Sequence, residues 1–477
     1  MVFSSPLFIF VFCPVFFTAY LLAPAKLKDA VIIIASIIFY TWGAYYFILV
    51  VFATCLMDYI LGALIYKIRE NPEKKNLYRL FIFIDVFINL GILVYFKYTN
   101  FFIENLSSLL ASLNYEQPLF PKVIMPIGIS FIIFQKMTYC LDIAKGTAKP
   151  AEHFFAYFEY MLIFPALIVG PILKYNILAP QFRNKAISLD NIEAGFKRFA
   201  IGLAKKVLIA DTVAKYADLV FNGSAAVIPI DYTWIGLVCF TLQLYFDFSA
   251  YCDMAIGMLK IMGLSIPENF HYPFISRSIT EFWTRWHISL TSWMREYIYY
   301  PLGGNRKGVA RTYINLWAIF LISGFWHGAG WTYIVWGISH GCLLCLERLV
   351  LLKKMEKIPG FIRMVFTTFM AMLSLVLFRA DTLAHSMEYY KQMVNLSSLA
   401  VHVPPERIMV IDNFGKFIIV LGAFICIFPF FDKSYKKLIE IKDRFPKTVL
   451  VLCFILFCVA VAKVGTASFS PFIYFQF

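Results

Sequence analysis

Long apolar runs separated by short, basic connections recur from one end of the chain to the other, and that spacing predicts helices that cross a membrane. A crossing takes roughly 20 predominantly apolar residues. Basic residues gather around 24–29, 67–79, 145–149, 174–206, 260–311, 348–363 and 433–447. Such residues are retained on the cytoplasmic side, so these segments set the expected topology. The opposite-side connections then fall near 42–46, 97–121, 222–231, 327–331 and 381–416. Segment 154–173 has basic flanks on both sides and cannot be a single crossing; Pro165, Gly170 and Pro171 suit a re-entrant or interfacial element. The expected fold is all-α and polytopic, with about ten transmembrane helices plus re-entrant or interfacial helices in a single membrane domain over residues 1–477.

The first run has no basic leader and no small-residue cleavage site, so it reads as a permanent span with the N-terminus outside. The last span, near 448–465, carries the tail GTASFSPFIYFQF outside as well. No internal repeat or flexible linker interrupts the pattern.

Composition sharpens this picture. The chain is 61% hydrophobic and only 15% charged, which excludes an ordinary soluble domain. A net charge of +14 would suit nucleic acid if it were concentrated, but the Lys and Arg residues are dispersed between spans, so no nucleic-acid partner is expected. The ten cysteines lie mostly in apolar runs, and Cys342 and Cys345 in CLLC have no second pair to complete a metal site, so they read as packing residues. No zinc signature, nucleotide-binding glycine loop or serine nucleophile elbow occurs, and neither a metal nor a bound cofactor is expected.

The stretch from Glu281, EFWTRWHISLTSWMREYIYYPLGGNRKG, departs from the apolar pattern. Phe282, Trp286, Leu290, Trp293 and Tyr297 recur at steps of 4, 4, 3 and 4, which predicts one continuous helix with one apolar face. Arg285, Ser289, Ser292, Arg295 and Glu296 fall largely elsewhere on it. Periodicity alone fits either a basic interfacial anchor or a helix lining a wet cavity. His287 favours the cavity, because an imidazole near hydrocarbon costs free energy unless it is hydrogen-bonded or serves a site.

His327 follows in SGFWHGAG, after an apolar run from Tyr313 to Trp326 that is short for a full crossing, so it is expected below the outer surface. Gly324, Gly328 and Gly330 allow close approach of backbone or substrate. With an unperturbed pKa of about 6.5, a histidine here can accept a proton from an attacking hydroxyl. Other polar groups in apolar runs are Asp58, Asp85, Gln243, Asp247, Ser249, Asp253 and His340. Gln243 and Asp247 share one side of a helix, with Ser249 two residues further on, which fits a tunnel lining, a partner for a catalytic histidine, or hydrogen bonds between helices.

At EFWTRWHISLTSWMREYIYYPLGGNR and GFWHGAGWTYIVWG the chain resembles the membrane-bound O-acyltransferase family, in particular its bacterial alginate O-acetyltransferase-like branch. MVFSS at the start, LQLYFDFSAYCDMAIG, and FIYFQF at 472–477 fit the same branch, so the resemblance covers essentially the whole chain. It implies a helical membrane protein with a central tunnel joining a cytoplasmic donor side to an external acceptor side. The family's catalytic histidine maps onto His327 and its second characteristic position onto His287. Tyr474 matches the C-terminal tyrosine that, in related systems, is proposed to hold the acyl group transiently. A phenol of pKa about 10 leaves more readily than a sugar hydroxyl, so such a relay is chemically sound.

The implied function is a multi-pass acetyltransferase of the cell inner membrane. It would take acetyl from acetyl-CoA and deliver it to an exported polysaccharide such as alginate, or to peptidoglycan, through an extracytoplasmic partner of esterase-like type. Arg285, Arg295 and Arg306 are candidates for the donor's phosphates, and Gln243, Asp247 and Trp326 for the tunnel wall. The competing expectations are a transporter or flippase using the intramembrane carboxylates as an ion path, and teichoic-acid or lipid acylation by the same family.

Overall fold

The computed structural model describes residues 1–115, 120–223, 228–400, 408–466 and 472–473, and among them every regular element is helical. Among the described residues eight helices are long and apolar enough to cross a membrane, and Phe8–Leu22 is a shorter apolar helix. The all-α polytopic expectation holds. The chain divides into two compact units, Met1–Phe196 with Ala255–Pro267, and Lys197–Met254 with Glu268–Phe477.

The first unit contains α1 (Cys13–Leu22), α2 (Lys28–Ala44), α3 (Phe47–Ile68), α4 (Lys75–Ser112), α5 (Ile129–Lys145), α6 (Phe154–Leu162), α7 (Phe164–Leu167) and α8 (Tyr175–Phe182). At 38 residues α4 is about 57 Å long, and it runs through most of the connection expected at 97–121. From Lys97 to Ser112 there is no proline or glycine to stop a helix, and Asn100 side-chain atoms accept from and donate to the Val123 backbone at 2.9 Å, tying the returning chain to it. Segment 154–173 forms two short helices broken at Ile163, as expected of an element that does not cross. Its backbone is satisfied internally: Ser36 Oγ accepts from Phe164 N at 3.1 Å, and Tyr160 Oη donates to Leu173 O at 2.8 Å. Beneath it lies a fully buried polar cluster, in which Asp58 pairs with Lys136 at 3.0 Å and accepts from Tyr157 Oη and Asn89 Nδ2.

After α9 (Leu189–Ala204) comes one wide π-turn over Lys205–Ala210, followed by α10 (Asp211–Phe221) and α11 (Ile230–Ile261). The central segment of α11 is 89% buried, which is why its polar residues must find partners inside the protein. Next come α12 (Ile279–Arg285), α13 (Ile288–Met294), α14 (Val309–His327), α15 (Trp331–Leu346), α16 (Gly360–Arg379), α17 (Leu383–Gln392), α18 (Asn413–Ile427), α19 (Asp432–Arg444) and α20 (Pro446–Thr466).

The continuous helix expected from Phe282 to Tyr297 is instead two helices. Trp286 is extended and His287 adopts left-handed geometry at φ 46°. The cause is a distant strand of backbone: Asn269 O accepts from Ile288 N, and His271 N donates to Arg285 O, each at 2.9 Å, replacing helical bonds at the break. The five aromatic and apolar residues are all buried as their spacing predicts.

Candidate active site

His327 is the last residue of α14, and Gly328–Gly330 turn the chain into α15. The two helices meet backbone to backbone at Gly324 and Gly337: a Cβ on Gly337 would lie 2.4 Å from Phe320 O. That approach brings Trp336 of α15 against His327, with ring centroids 5.0 Å apart and nearly perpendicular, while Phe378 of α16 closes the other side at 5.3 Å. His327 is 6% exposed and lines a cavity of about 20 Å³ together with Leu244, Trp283, Trp286 and His340. Such a volume holds about one water molecule. An apolar, nearly water-free site is where a proton acceptor acts on an incoming hydroxyl with least competition from solvent.

The second histidine of this cavity is His340, noted in the sequence only as a polar group within a span. Trp283 Nε1 donates to its Nδ1 at 3.3 Å, so Nε2 carries the proton and meets Ser374 Oγ at 2.9 Å; Ser374 in turn donates to Ala371 O. Both ring nitrogens are thereby engaged and the tautomer is fixed. His340 is a wall of the cavity and an orienting partner for Trp283.

His287 is fully buried but does not line the cavity. Asn269 Oδ1 accepts from Ser289 N and Ser289 Oγ and stands 3.3 Å from His287 Nδ1, so Nδ1 bears the hydrogen. Burial pulls this imidazole down to about 3, and it stays neutral at physiological pH. Its ring meets Phe248 at 4.8 Å and Trp326 at 6.2 Å, and Trp326 meets His327 at 5.0 Å. The two expected histidines are thus linked through Trp326.

Two further cavities adjoin the first. One, of about 150 Å³, is lined by Thr280, Thr284, Thr291, Arg295, Tyr299 and Arg348 and shares Trp283 with the histidine cavity. Of the three expected arginines, only Arg295 reaches it. Arg285 is held by Glu281 Oε1 at 2.9 Å and His271 O at 3.1 Å, and Arg306 stands exposed in the turn after α13. Arg348 was not singled out in the sequence; it lies four residues beyond Leu344, which lines the same cavity. The other, of about 420 Å³, is polar, with Asp218, Thr332, Tyr333, Arg379 and Asp381. Tyr333 packs edge-on to Phe378, the ring that also covers His327. A basic cavity, an aromatic histidine cavity and a polar cavity therefore follow one another through shared or touching rings.

On α11, Gln243 is buried and Asp247 pairs with Lys206 at 3.0 Å while accepting from Ile473 N at 2.8 Å. Neither lines these three cavities. Tyr474 lies outside the described residues; its neighbours Phe472 and Ile473 are buried.

Residues 37–377 match the model of the membrane-bound O-acyltransferase family. The chain is 35% identical over 500 residues to the probable alginate O-acetylase of Pseudomonas putida, with the whole of both chains covered. It is 37% identical over 404 residues to the probable alginate O-acetylase of Pseudomonas aeruginosa, covering 83% of this chain and 76% of that one. To the peptidoglycan O-acetyltransferase of Helicobacter pylori it is 35% identical over 443 residues, covering 85% and 82%. With a helical membrane fold, a buried histidine at the end of α14 and similarity across its full length, the chain belongs to the membrane-bound O-acyltransferase family.

Proposed function

We propose that this protein is an inner-membrane O-acetyltransferase, acting through one membrane domain over residues 1–477, that moves acetyl from acetyl-CoA to an exported cell-envelope polysaccharide. The observation that carries this is the position of His327 in a nearly dry aromatic cavity flanked by a basic cavity and a polar one. The basic cavity offers Arg295 and Arg348 to the donor's phosphates and three threonine hydroxyls to its amide-bearing arm. The polar cavity offers Asp218, Asp381 and Tyr333 to a hydroxyl-bearing acceptor.

In the transfer, His327 takes the proton of the attacking hydroxyl as its oxygen bonds to the thioester carbonyl. The C–S bond then breaks, and the proton passes to the departing thiolate. General-base assistance of this kind contributes about 10²- to 10⁴-fold. The hydroxyl can belong to Tyr474, which then passes acetyl to an extracytoplasmic esterase-like partner, or to the partner directly. The names of the relatives support either alginate or peptidoglycan as the final acceptor. On this reading both termini face the extracytoplasmic side of the inner membrane.

The test is purified protein in sealed vesicles with labelled acetyl-CoA on the cytoplasmic face only. Label appearing on an acceptor trapped at the opposite face, with free CoA left behind, supports the reading. Acceptor or lipid crossing the membrane without any acyl donor would support a transporter instead, and label on lipid alone would support lipid acylation.

A further inference from the structure

A buried ion pair is by itself weak evidence for stability, because desolvation offsets most of its attraction. Lys206 and Asp247 form such a pair, with side chains only 4% and 2% exposed. The wide turn at Lys205–Ala210 aims Lys206 inward, where it also meets Asp211 at 2.7 Å. One carboxylate oxygen of Asp247 faces Lys206, and the other accepts the amide of Ile473 at 2.8 Å, 226 residues away in sequence. Phe472 is fully buried beside it, its ring 4.9 Å from Tyr251 and 6.1 Å from Phe248. Phe248 also meets His287 at 4.8 Å. The last helix ends nearby, with Lys463 donating to Thr212 Oγ1 at 2.9 Å, one residue beyond Asp211.

We infer that Asp247, held by Lys206, is a latch for the C-terminal segment: it grips the Ile473 amide, seats Phe472 against Phe248, and keeps Phe472 within one aromatic ring of His287. Asp247 and Lys206 are positioning residues. The seating stands on its own; only its consequence for activity rests on the acyl-transfer reading. The charge on Asp247 matters because an amide bonded to a carboxylate in a low-dielectric setting is held more firmly than one bonded to a neutral acceptor.

Hydrogen–deuterium exchange of the C-terminal peptide in the full chain tests this directly. Asp247→Ala leaves Lys206 paired with Asp211, so no cation is orphaned, and should speed exchange of that peptide roughly 10- to 100-fold. Asp247→Asn keeps an accepting oxygen and should recover part of the protection. Ile473→Pro removes the same bond from the other end, and the double variant Asp247→Ala with Ile473→Pro should lose no more transfer activity than either single one. Unchanged exchange in Asp247→Ala, or losses that add in the double variant, would overturn the latch. A protected tail in a protein that transfers no acetyl would uphold the latch and defeat the acyl-transfer reading.

Discussion

Gly337 decides how closely α14 and α15 approach, and a single methyl there tests whether that approach sets the site. An added Cβ would sit 2.4 Å from Phe320 O and 3.2 Å from Gly324 Cα, both backbone atoms that cannot rotate away. Restoring an ordinary contact of 3.4 Å requires the helices to part by about 1 Å. Overpacking of this kind costs about 1–3 kcal/mol of stability. Its effect on rate should be larger, because His327 rides on α14 while Trp336 and His340 ride on α15. A displacement of about 1 Å between a base and the wall that holds its substrate costs on the order of 10²-fold. Gly341→Ala is the control: one turn further along α15, the nearest atoms to its Cβ belong to the Trp317 side chain, at 3.3 Å, which can shift. The assay is acetyl transfer by each variant beside its thermal midpoint in detergent. Gly337→Ala should lose about 10²-fold in transfer with Gly341→Ala near the wild type. Equal rates in the two variants would refute the reasoning.

Replacing Lys136 by Met leaves Asp58 buried without its cation, and should cost about 3–5 kcal/mol in a denaturation measurement, with Asp58→Asn in the same background recovering part of it. Arg295→Ala and Arg348→Ala should each raise the KM for acetyl-CoA several-fold with kcat little changed, read by steady-state kinetics. His287 binds its proton more weakly folded than unfolded, so its contribution to stability is lost as pH falls from about 6.5 towards 3. Between pH 6.5 and 5 that amounts to about 2 kcal/mol, and His287→Asn should flatten the acid limb of a thermal-midpoint profile.

The helical membrane fold was legible because hydropathy is a local property: runs of the right length announce themselves without reference to the rest of the chain. What escaped was decided by long-range partners. The break at His287 is set by the backbone of Asn269 and His271, which no periodicity within 281–299 could reveal. The length of α4 escaped because its second half is only partly apolar and reads as a connection, although nothing in it stops a helix. His327 stands out in the sequence by its glycine-rich surroundings and by the family resemblance, and the structure places it in an aromatic cavity. His340 was visible as a polar residue in a span, but its place in the same cavity depends on the Gly324–Gly337 contact. Among the arginines, charge alone could not tell Arg295, which reaches a cavity, from Arg285, which is spent on Glu281.

The central claim is that, of the two histidines in the aromatic cavity, His327 moves the proton and His340 only holds Trp283. The direct measurement is acetyl transfer by His327→Ala and His340→Asn, each shown to be folded and inserted. The account predicts a loss of about 10³-fold in His327→Ala and retention within about tenfold in His340→Asn, where the amide oxygen still accepts from Trp283. Wild-type transfer by His327→Ala, or a collapse confined to His340→Asn, would contradict it.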